Sequence, residues 1–254
     1  MDYDAVADDY DRRYLHNDYN GVERTLRDFV GDARAVLEAG CGTGHWLAFI
    51  AGQPRSPRNT VGLDTSSAML RRARAIAPDA HIVRGHAGML PFGPACFDRA
   101  FCVNALHHFD DKPAFIEAAR SVLRPGGGLL TVQLDPHGNR DRWWIYDCFP
   151  EALVTDRARY PAVEAIRQWM RNVGFARCHT TVAQHMELRR SAQVALSEGA
   201  ADRSATSQLT LLSEEAYALG MRKLREAIVV ATARGETPEL STDLTLYATV
   251  GWVA

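Results

Sequence analysis

The apolar positions Val22, Leu26, Phe29 and Val30 recur at helical spacing and predict a helix over 22–30. Ala35-Val36-Leu37 is a short apolar run halted by the glycine cluster Gly40 to Gly44, the mark of a buried strand entering a tight turn. A helix follows over 45–51 and breaks at Gly52 and the Pro54/Pro57 loop. The pattern then repeats. Thr60 to Leu63 reads as a strand ending at Asp64, and Ser66 to Ala77 as a helix with Met69, Leu70, Ala73 and Ile76 on one side. Strands are expected over 81–83, 97–103 and 129–134. A helix over 112–123 is capped by Asp110 or Asp111 and ended by RPGGG.

Strands alternating with helices at this spacing predict an α/β fold, a parallel sheet covered by helices on both faces. The pattern changes after Pro136. Stretches 143–150 and 160–173 look helical, 175–188 extended, 213–234 a long helix, and 244–253 the closing strand. Residues 136–160 and 190–240 are the expected helical insertions over the C-terminal edge of the sheet, where ligands bind in such folds.

Composition narrows the classes of function. The 254 residues suit one α/β domain with an elaboration, and 46% hydrophobic residues is ordinary globular composition. A formal net charge of −2 supplies no general attraction for a phosphate backbone, so nucleic acid is a poor partner. The opening MDYDAVADDYDRRY lacks the basic and apolar regions of a signal peptide, and no apolar run approaches the ~20 residues of a membrane helix. The five cysteines, Cys41, Cys96, Cys102, Cys148 and Cys178, are scattered and read as reduced thiols of a cytoplasmic protein.

The chemistry begins at VLEAGCGTGHW. Gly40, Gly42 and Gly44 sit between a strand and a helix, where glycine permits positive φ and close approach of a ligand to backbone amides. The helix start behind them favours negative charge. Twenty residues after Gly44, Asp64 ends the second strand, where an acid accepts hydrogen bonds from ribose hydroxyls. Together these point to an adenosine-containing cofactor. The G-x-G-x-G spacing is not the G-x-G-x-x-G that seats a dinucleotide pyrophosphate, which argues against NAD.

Taken in order, EAGCGTG, GLDTS, LPFGPACFDRAFCVNALHHF and LRPGGGLLTV resemble the successive motifs of class I S-adenosylmethionine-dependent methyltransferases of the UbiE-like group. The resemblance covers residues 1–135 well and the remainder only by expected topology. It implies a doubly wound, mostly parallel seven-stranded Rossmann-like sheet. The whole of 1–254 would form one methyltransferase domain, with an N-terminal helical cap at 1–30 and helical lid insertions. S-adenosyl-L-methionine would be the methyl donor and S-adenosyl-L-homocysteine the product.

By the same resemblance Glu38 supports the methionine end of the cofactor, and the backbone of Gly40, Cys41 and Gly42 lies against it. Asp64 holds the ribose, with Thr65 and Met69 beside the adenine. Asn104 sits under the methionyl moiety through its backbone. The N-terminal stretch resembles the aromatic entry helix of the family, with Tyr3, Tyr10 and Tyr14 as candidates. One departure stands out: relatives commonly carry Gly-Asp-Ala after the third strand, with the acid on the adenine amino group, and here the stretch is Gly85-His86-Ala87. A neutral imidazole can still accept from that amino group but supplies no carboxylate.

For the reaction, the sulfonium already carries a good leaving group. What the protein must add is placement of the acceptor at roughly 3–3.5 Å and, for an O–H or N–H acceptor, removal of a proton. His107 of the His107-His108 pair, with Tyr10 or Tyr14 as a partner, is the candidate base. The alternative is that the pair only shapes the strand–helix connection. A metal site from His107, His108, Asp110 and Asp111 is disfavoured, because neighbours on a short loop rarely converge on one ion. Trp143, Trp144, Tyr146 and Phe149 line an apolar acceptor pocket or anchor the cap. Arg140, Arg142, Arg157 and Arg159 either meet an anionic substrate or lie on a solvated face. The acceptor is expected to be a small molecule, methylated on O, N or C. Rival readings keep the fold for a cyclase, lyase or pericyclic reaction, a nicotinamide-dependent oxidoreductase, or a catalytically silent binding module.

Overall fold

The computed structural model of the chain describes residues 18–138 and 140–254. It divides into two compact units. The larger comprises the stretch up to Asp135 together with Pro161–Gln184 and Leu246–Ala254, and the smaller comprises Pro136–Tyr160 and His185–Thr245. Tyr3, Tyr10 and Tyr14 lie outside the described residues.

The larger unit is organised by β1 (Ala35–Ala39), in which all five residues are buried. The parallel strand β2 (Asn59–Asp64) flanks it on one side, and the parallel strand β4 (Phe97–Val103) flanks it on the other. β3 (His81–Arg84) extends the sheet beyond β2, and β5 (Leu123–Leu134) extends it beyond β4. β8 (Glu239–Val253) then pairs antiparallel with β5, from Gly128↔Trp252 to Leu134↔Leu246. β7 (Phe175–Ser191) pairs with β8, where Thr180 Oγ1 meets Thr249 Oγ1 at 3.0 Å. The order in this unit, β3-β2-β1-β4-β5-β8-β7, is the expected doubly wound seven-stranded arrangement. Beyond these strands, β6 (Arg142–Trp143) pairs with β8 at Asp243 and Thr242 within the smaller unit, which makes eight strands among the described residues.

Alternation along the strands divides the side chains between two helical layers. Leu37, Ala39, Ala100, Cys102 and Leu129 join Phe115, Ile116 and Ala119 of α4 (Lys112–Val122) and Ile166 and Met170 of α7 (Val163–Asn172) in one core. On the opposite face lie α1 (Asn20–Val30), α2 (His45–Ala51) and α3 (Ser67–Ile76). There Phe29 of α1 stands 5.5 Å from the Trp252 ring, while Leu47 of α2 and Leu70 of α3 pack with Cys41.

Two boundaries differ from the sequence expectation. β5 begins at Leu123, before RPGGG rather than after it. Leu123 pairs with Phe97 and Gly128 with Arg99, so the residues between them bulge out while pairing continues. α7 starts at Val163, because Pro161 cannot continue the ladder of the preceding helix and Asp135 Oδ2 accepts from Val163 N at 3.1 Å.

The smaller unit has its own core. Trp144, Ile145 and Tyr146 of α5 (Trp144–Cys148), Phe149, and Ala152 of α6 (Pro150–Arg159) are buried with Leu209 of α9 (Ser207–Thr210) and Leu224 of α10 (Glu214–Ala233). The short α8 (Ala192–Ser197) adds Ala192 and Ala195. The aromatic run that was read two ways is therefore mostly core of this unit. Its polar centre is the fully buried Asp156, which accepts from Tyr146 Oη at 2.7 Å, Gln208 Nε2 at 2.9 Å and Arg159 Nη2 at 2.8 Å. Burial first, and the Asp156 charge second, hold the Tyr146 phenol protonated. Among the described residues no helix is long and apolar enough to cross a membrane.

At the N-terminal edge of the larger unit, Asp98 ties three segments together. It accepts from the backbone N–H of Arg34 and Ala35 at 2.8 and 2.9 Å, and from Arg124 Nη1 at 2.7 Å. Burial alone would raise its pKa, but these donors outweigh that and lower it. A lowered carboxylate pKa contributes stability that is present above the unfolded value and lost as pH falls through the folded one. Asp98→Ala should therefore cost about 2 kcal/mol in urea unfolding at pH 7. The gap to wild type should close as the pH drops below ~4; a gap unchanged down to pH 2 would contradict the assignment.

Candidate functional site

The chain leaves β1 toward β2 and β3, then returns to β4 on the other side of β1. The C-terminal ends of β1 and β4 therefore bound the crevice where strand order reverses, the usual ligand position in open α/β sheets. The bend after β1 is built to leave backbone exposed. Gly40, Gly42 and Gly44 have φ of 73°, 52° and 85°. A Cβ on Gly40 would stand 2.5 Å from Ala105 Cβ and 3.3 Å from the Phe109 ring, so glycine lets the bend touch the segment after β4. Gly44 is equally constrained, since its Cβ would lie 3.0 Å from Ala73 Cα of α3.

Hydrogen bonds fasten this bend to β2. Leu63 O accepts from Gly40 N at 2.7 Å and from Cys41 N at 3.0 Å. One oxygen of Asp64 accepts from Gly42 N at 2.9 Å and the other accepts from Ser66 N at 2.9 Å. Ser66 in turn caps α3 by accepting from Met69 N at 3.1 Å. Asp64 thus joins the bend to the start of α3, and each carboxylate oxygen keeps acceptor capacity for a further donor.

Glu38, the next-to-last residue of β1, lies beside Gly62 and Phe101, just before this bend. It is 1% exposed, and its Oε2 has no hydrogen-bond partner among the described residues. Burial first, then the Asp64 charge, push its pKa well above the ordinary carboxylate range. Cys41 is buried in the bend, and burial, Glu38 and Asp64 raise its thiol pKa. Cys102 on β4 is raised by burial in the same way.

After β4, Asn104 takes φ 49° and donates its N–H to Val132 O at 2.8 Å. Asn is among the few residues with a Cβ that tolerate this left-handed conformation. The turn Leu106–His108 follows. His107 is buried, with its ring 3.8 Å from that of His108.

The structure therefore brings Glu38, Gly40, Cys41, Gly42, Asp64 and Asn104 to one crevice, with His107 on the turn that leaves it. Other candidates are placed less directly. Thr65 is exposed and its carbonyl accepts from Arg84 Nε at 3.0 Å. Met69 turns into the core at 1% exposure. His86 is exposed just beyond β3, next to Gly85, whose N–H donates to Asp64 O at 3.0 Å; Ala87 is buried. Tyr10 and Tyr14 lie outside the described residues. Among the described residues no three His, Cys, Asp or Glu side chains are grouped to hold a metal ion.

Two contributors were not singled out from the sequence. Gly62 sits inside β2, where a Cβ would meet Leu47 Cδ1 at 2.5 Å and Cys41 Sγ at 3.0 Å, so its bareness seats α2 and the bend. A glycine within a strand is the available signal. The Leu63 carbonyl left no signal at all.

Comparison with known proteins agrees with this geometry. The family model for a methyltransferase domain matches residues 36–127. An uncharacterized methyltransferase of Synechocystis sp. is 30% identical over 167 residues, covering 65% of this chain and 76% of that protein. A phthiotriol/phenolphthiotriol dimycocerosates methyltransferase of Mycobacterium leprae is 30% identical over 128 residues, covering 50% of this chain but 47% of the relative. The chain thus spans about half the length of that relative. A solved Thermotoga maritima structure, described as a SAM-dependent methyltransferase and possible histamine N-methyltransferase, shares the fold with TM-score 0.61. It is 17% identical, with 99% of this chain and 98% of that one covered.

The bend makes a direct prediction. Gly40→Ala should lower stability by about 2–4 kcal/mol, combining positive φ with overpacking against Ala105. Thermal unfolding of the variant measures it; a melting temperature within a degree of wild type would show that the bend is not held as described.

A bare-backbone bend after β1, an acid ending β2, a doubly wound sheet with its last-added strand antiparallel, and the matched relatives lead to one assignment: this chain belongs to the class I S-adenosylmethionine-dependent methyltransferases.

Proposed function

We propose that the protein transfers the methyl group of S-adenosyl-L-methionine to O, N or C of a small-molecule acceptor in the cytoplasm. The observation that carries this reading is the crevice itself. A buried Glu38 oxygen with no partner among the described residues lies beneath a bend that admits no Cβ at Gly40, and each Asp64 oxygen keeps acceptor capacity at its edge. These residues fit an amino acid joined to a nucleoside. Glu38 answers an ammonium, the bend accepts close approach of an uncharged chain, and Asp64 answers ribose hydroxyls.

When bound, the cofactor supplies an electrophilic methyl on a sulfonium with a neutral leaving group. What this chain contributes is orientation and, for a protic acceptor, proton removal. The Gly40–Gly44 bend and the Asn104 segment lie side by side, since a Cβ at Gly40 would fall 2.5 Å from Ala105 Cβ, and both offer backbone to a ligand. His107 stands on the turn that continues from Asn104, which suits it to accept a proton from an acceptor O–H or N–H. His86, beyond β3, meets the base edge with an imidazole in place of a carboxylate.

Incubation with S-adenosyl-L-methionine and panels of phenolic, amine and carbon-acid acceptors should release S-adenosyl-L-homocysteine, detectable by mass spectrometry. With a protic acceptor, His107→Ala should lower turnover by about 10²–10⁴. Its cofactor affinity should stay within about threefold of wild type. Equal loss of turnover and affinity would make His107 scaffold rather than base. Absence of product across all panels despite tight cofactor binding would favour a non-methylating reaction on the same fold.

A further inference from the structure

Glu38 and Asp64 are two carboxyl groups in one crevice with opposite surroundings. Asp64 is half-buried and each of its oxygens accepts a backbone N–H. Glu38 is 1% exposed, and its Oε2 has no partner among the described residues. Two negative charges so close, one of them without a donor, are not tolerated together in a water-poor interior. The titratable groups that act on Glu38 or feel its charge are Asp64 on β2, Cys41 in the bend and Cys102 on β4. Among the described residues none of these is a cation, and the His107-His108 pair belongs to the turn beyond.

Resting on the adenosyl-cofactor reading, we propose that Glu38 is a carboxylic acid in the ligand-free protein and releases its proton to solvent as the cofactor's α-ammonium arrives, so that cofactor binding is proton-coupled. The balance is simple. The O–H bond of Glu38 breaks, the carboxylate stays beside the incoming cation, and the proton passes to buffer. The ammonium supplies both the positive charge and the N–H donors that Oε2 lacks. A neutral acid avoids a buried charge while the ligand is absent, and a carboxylate is created only when its partner is in place. Glu38 is on this account a positioning residue whose charge state follows occupancy, and ligand affinity should rise with pH.

The physical cause is consistent with the raised pKa of Glu38, which burial and the Asp64 charge both drive. The linkage has a definite sign. A group that is protonated without ligand and ionised with it makes binding tighter at higher pH, by up to about tenfold per pH unit between its two pKa values.

The test is calorimetric titration of the full chain with S-adenosyl-L-homocysteine at pH 6.5, in buffers of widely different ionisation enthalpy. The slope of observed heat against buffer heat gives the protons exchanged. Wild type should release protons on binding, and the near-isosteric Glu38→Gln should release close to none. Infrared difference spectra of wild type alone provide a second readout, the loss of a carboxylic C=O band on binding. Binding without proton release, or equal release from Glu38→Gln, overturns the proposal while leaving the cofactor reading intact. Failure of wild type to bind S-adenosyl-L-homocysteine overturns the cofactor reading itself, and this proposal with it.

Discussion

The grip of Asp64 on the bend after β1 is the contact on which the rest of the site depends. One carboxylate oxygen holds Gly42 N and the other holds Ser66 N, so a single side chain fixes the bend and the entry to α3 together. The adjacent Leu63 carbonyl adds two more bonds, to Gly40 N and Cys41 N. Four backbone amides that no helix or ladder satisfies thereby find partners at the end of β2. Because the bend is fixed, Gly40 can approach Ala105 as closely as its missing side chain allows. Loosening that anchor would free the glycines to adopt the many conformations their missing side chains allow.

That constraint also gives the two acids different work. Asp64, fed by backbone donors, anchors the bend. Glu38, one strand over and sealed from water, has none of those donors in the described residues, and burial and the Asp64 charge push its pKa up. Separation of two carboxyl groups by environment is how one site offers both a permanent acceptor and a responsive one. The smaller unit uses the same physics for a different end. Asp156 is buried more completely than Asp64, yet it accepts from Tyr146, Gln208 and Arg159, and so it locks three helices instead of awaiting a ligand.

Much of this is legible in the amino-acid sequence. α2 and β4 fall where the apolar spacing placed them, because a run bounded by glycine or proline leaves little room for error. The N-cap of α4 was left between two aspartates, and Asp111 takes it by accepting from Ala114 N at 2.9 Å. RPGGG misled, since it reads as a terminator but sits in a bulge whose pairing with β4 is non-local. The glycine motif and Asp64 announced themselves through spacing. Gly62 and the Leu63 carbonyl did not, because their importance lies in register between β1 and β2 and in what packs above them. The aromatics at 143–149 were ambiguous for the same reason: burial among α5, α6 and α10 is set by partners about 50 or more residues away, beyond the reach of any local pattern.

The most direct test of the account is to titrate wild type and Asp64→Ala with S-adenosyl-L-homocysteine and to compare dissociation constants under one buffer condition. The account predicts one site per chain in wild type and a loss of about 10²-fold or more in the variant, since both the ribose acceptor and the anchor of the bend disappear. Unchanged affinity in Asp64→Ala would contradict it.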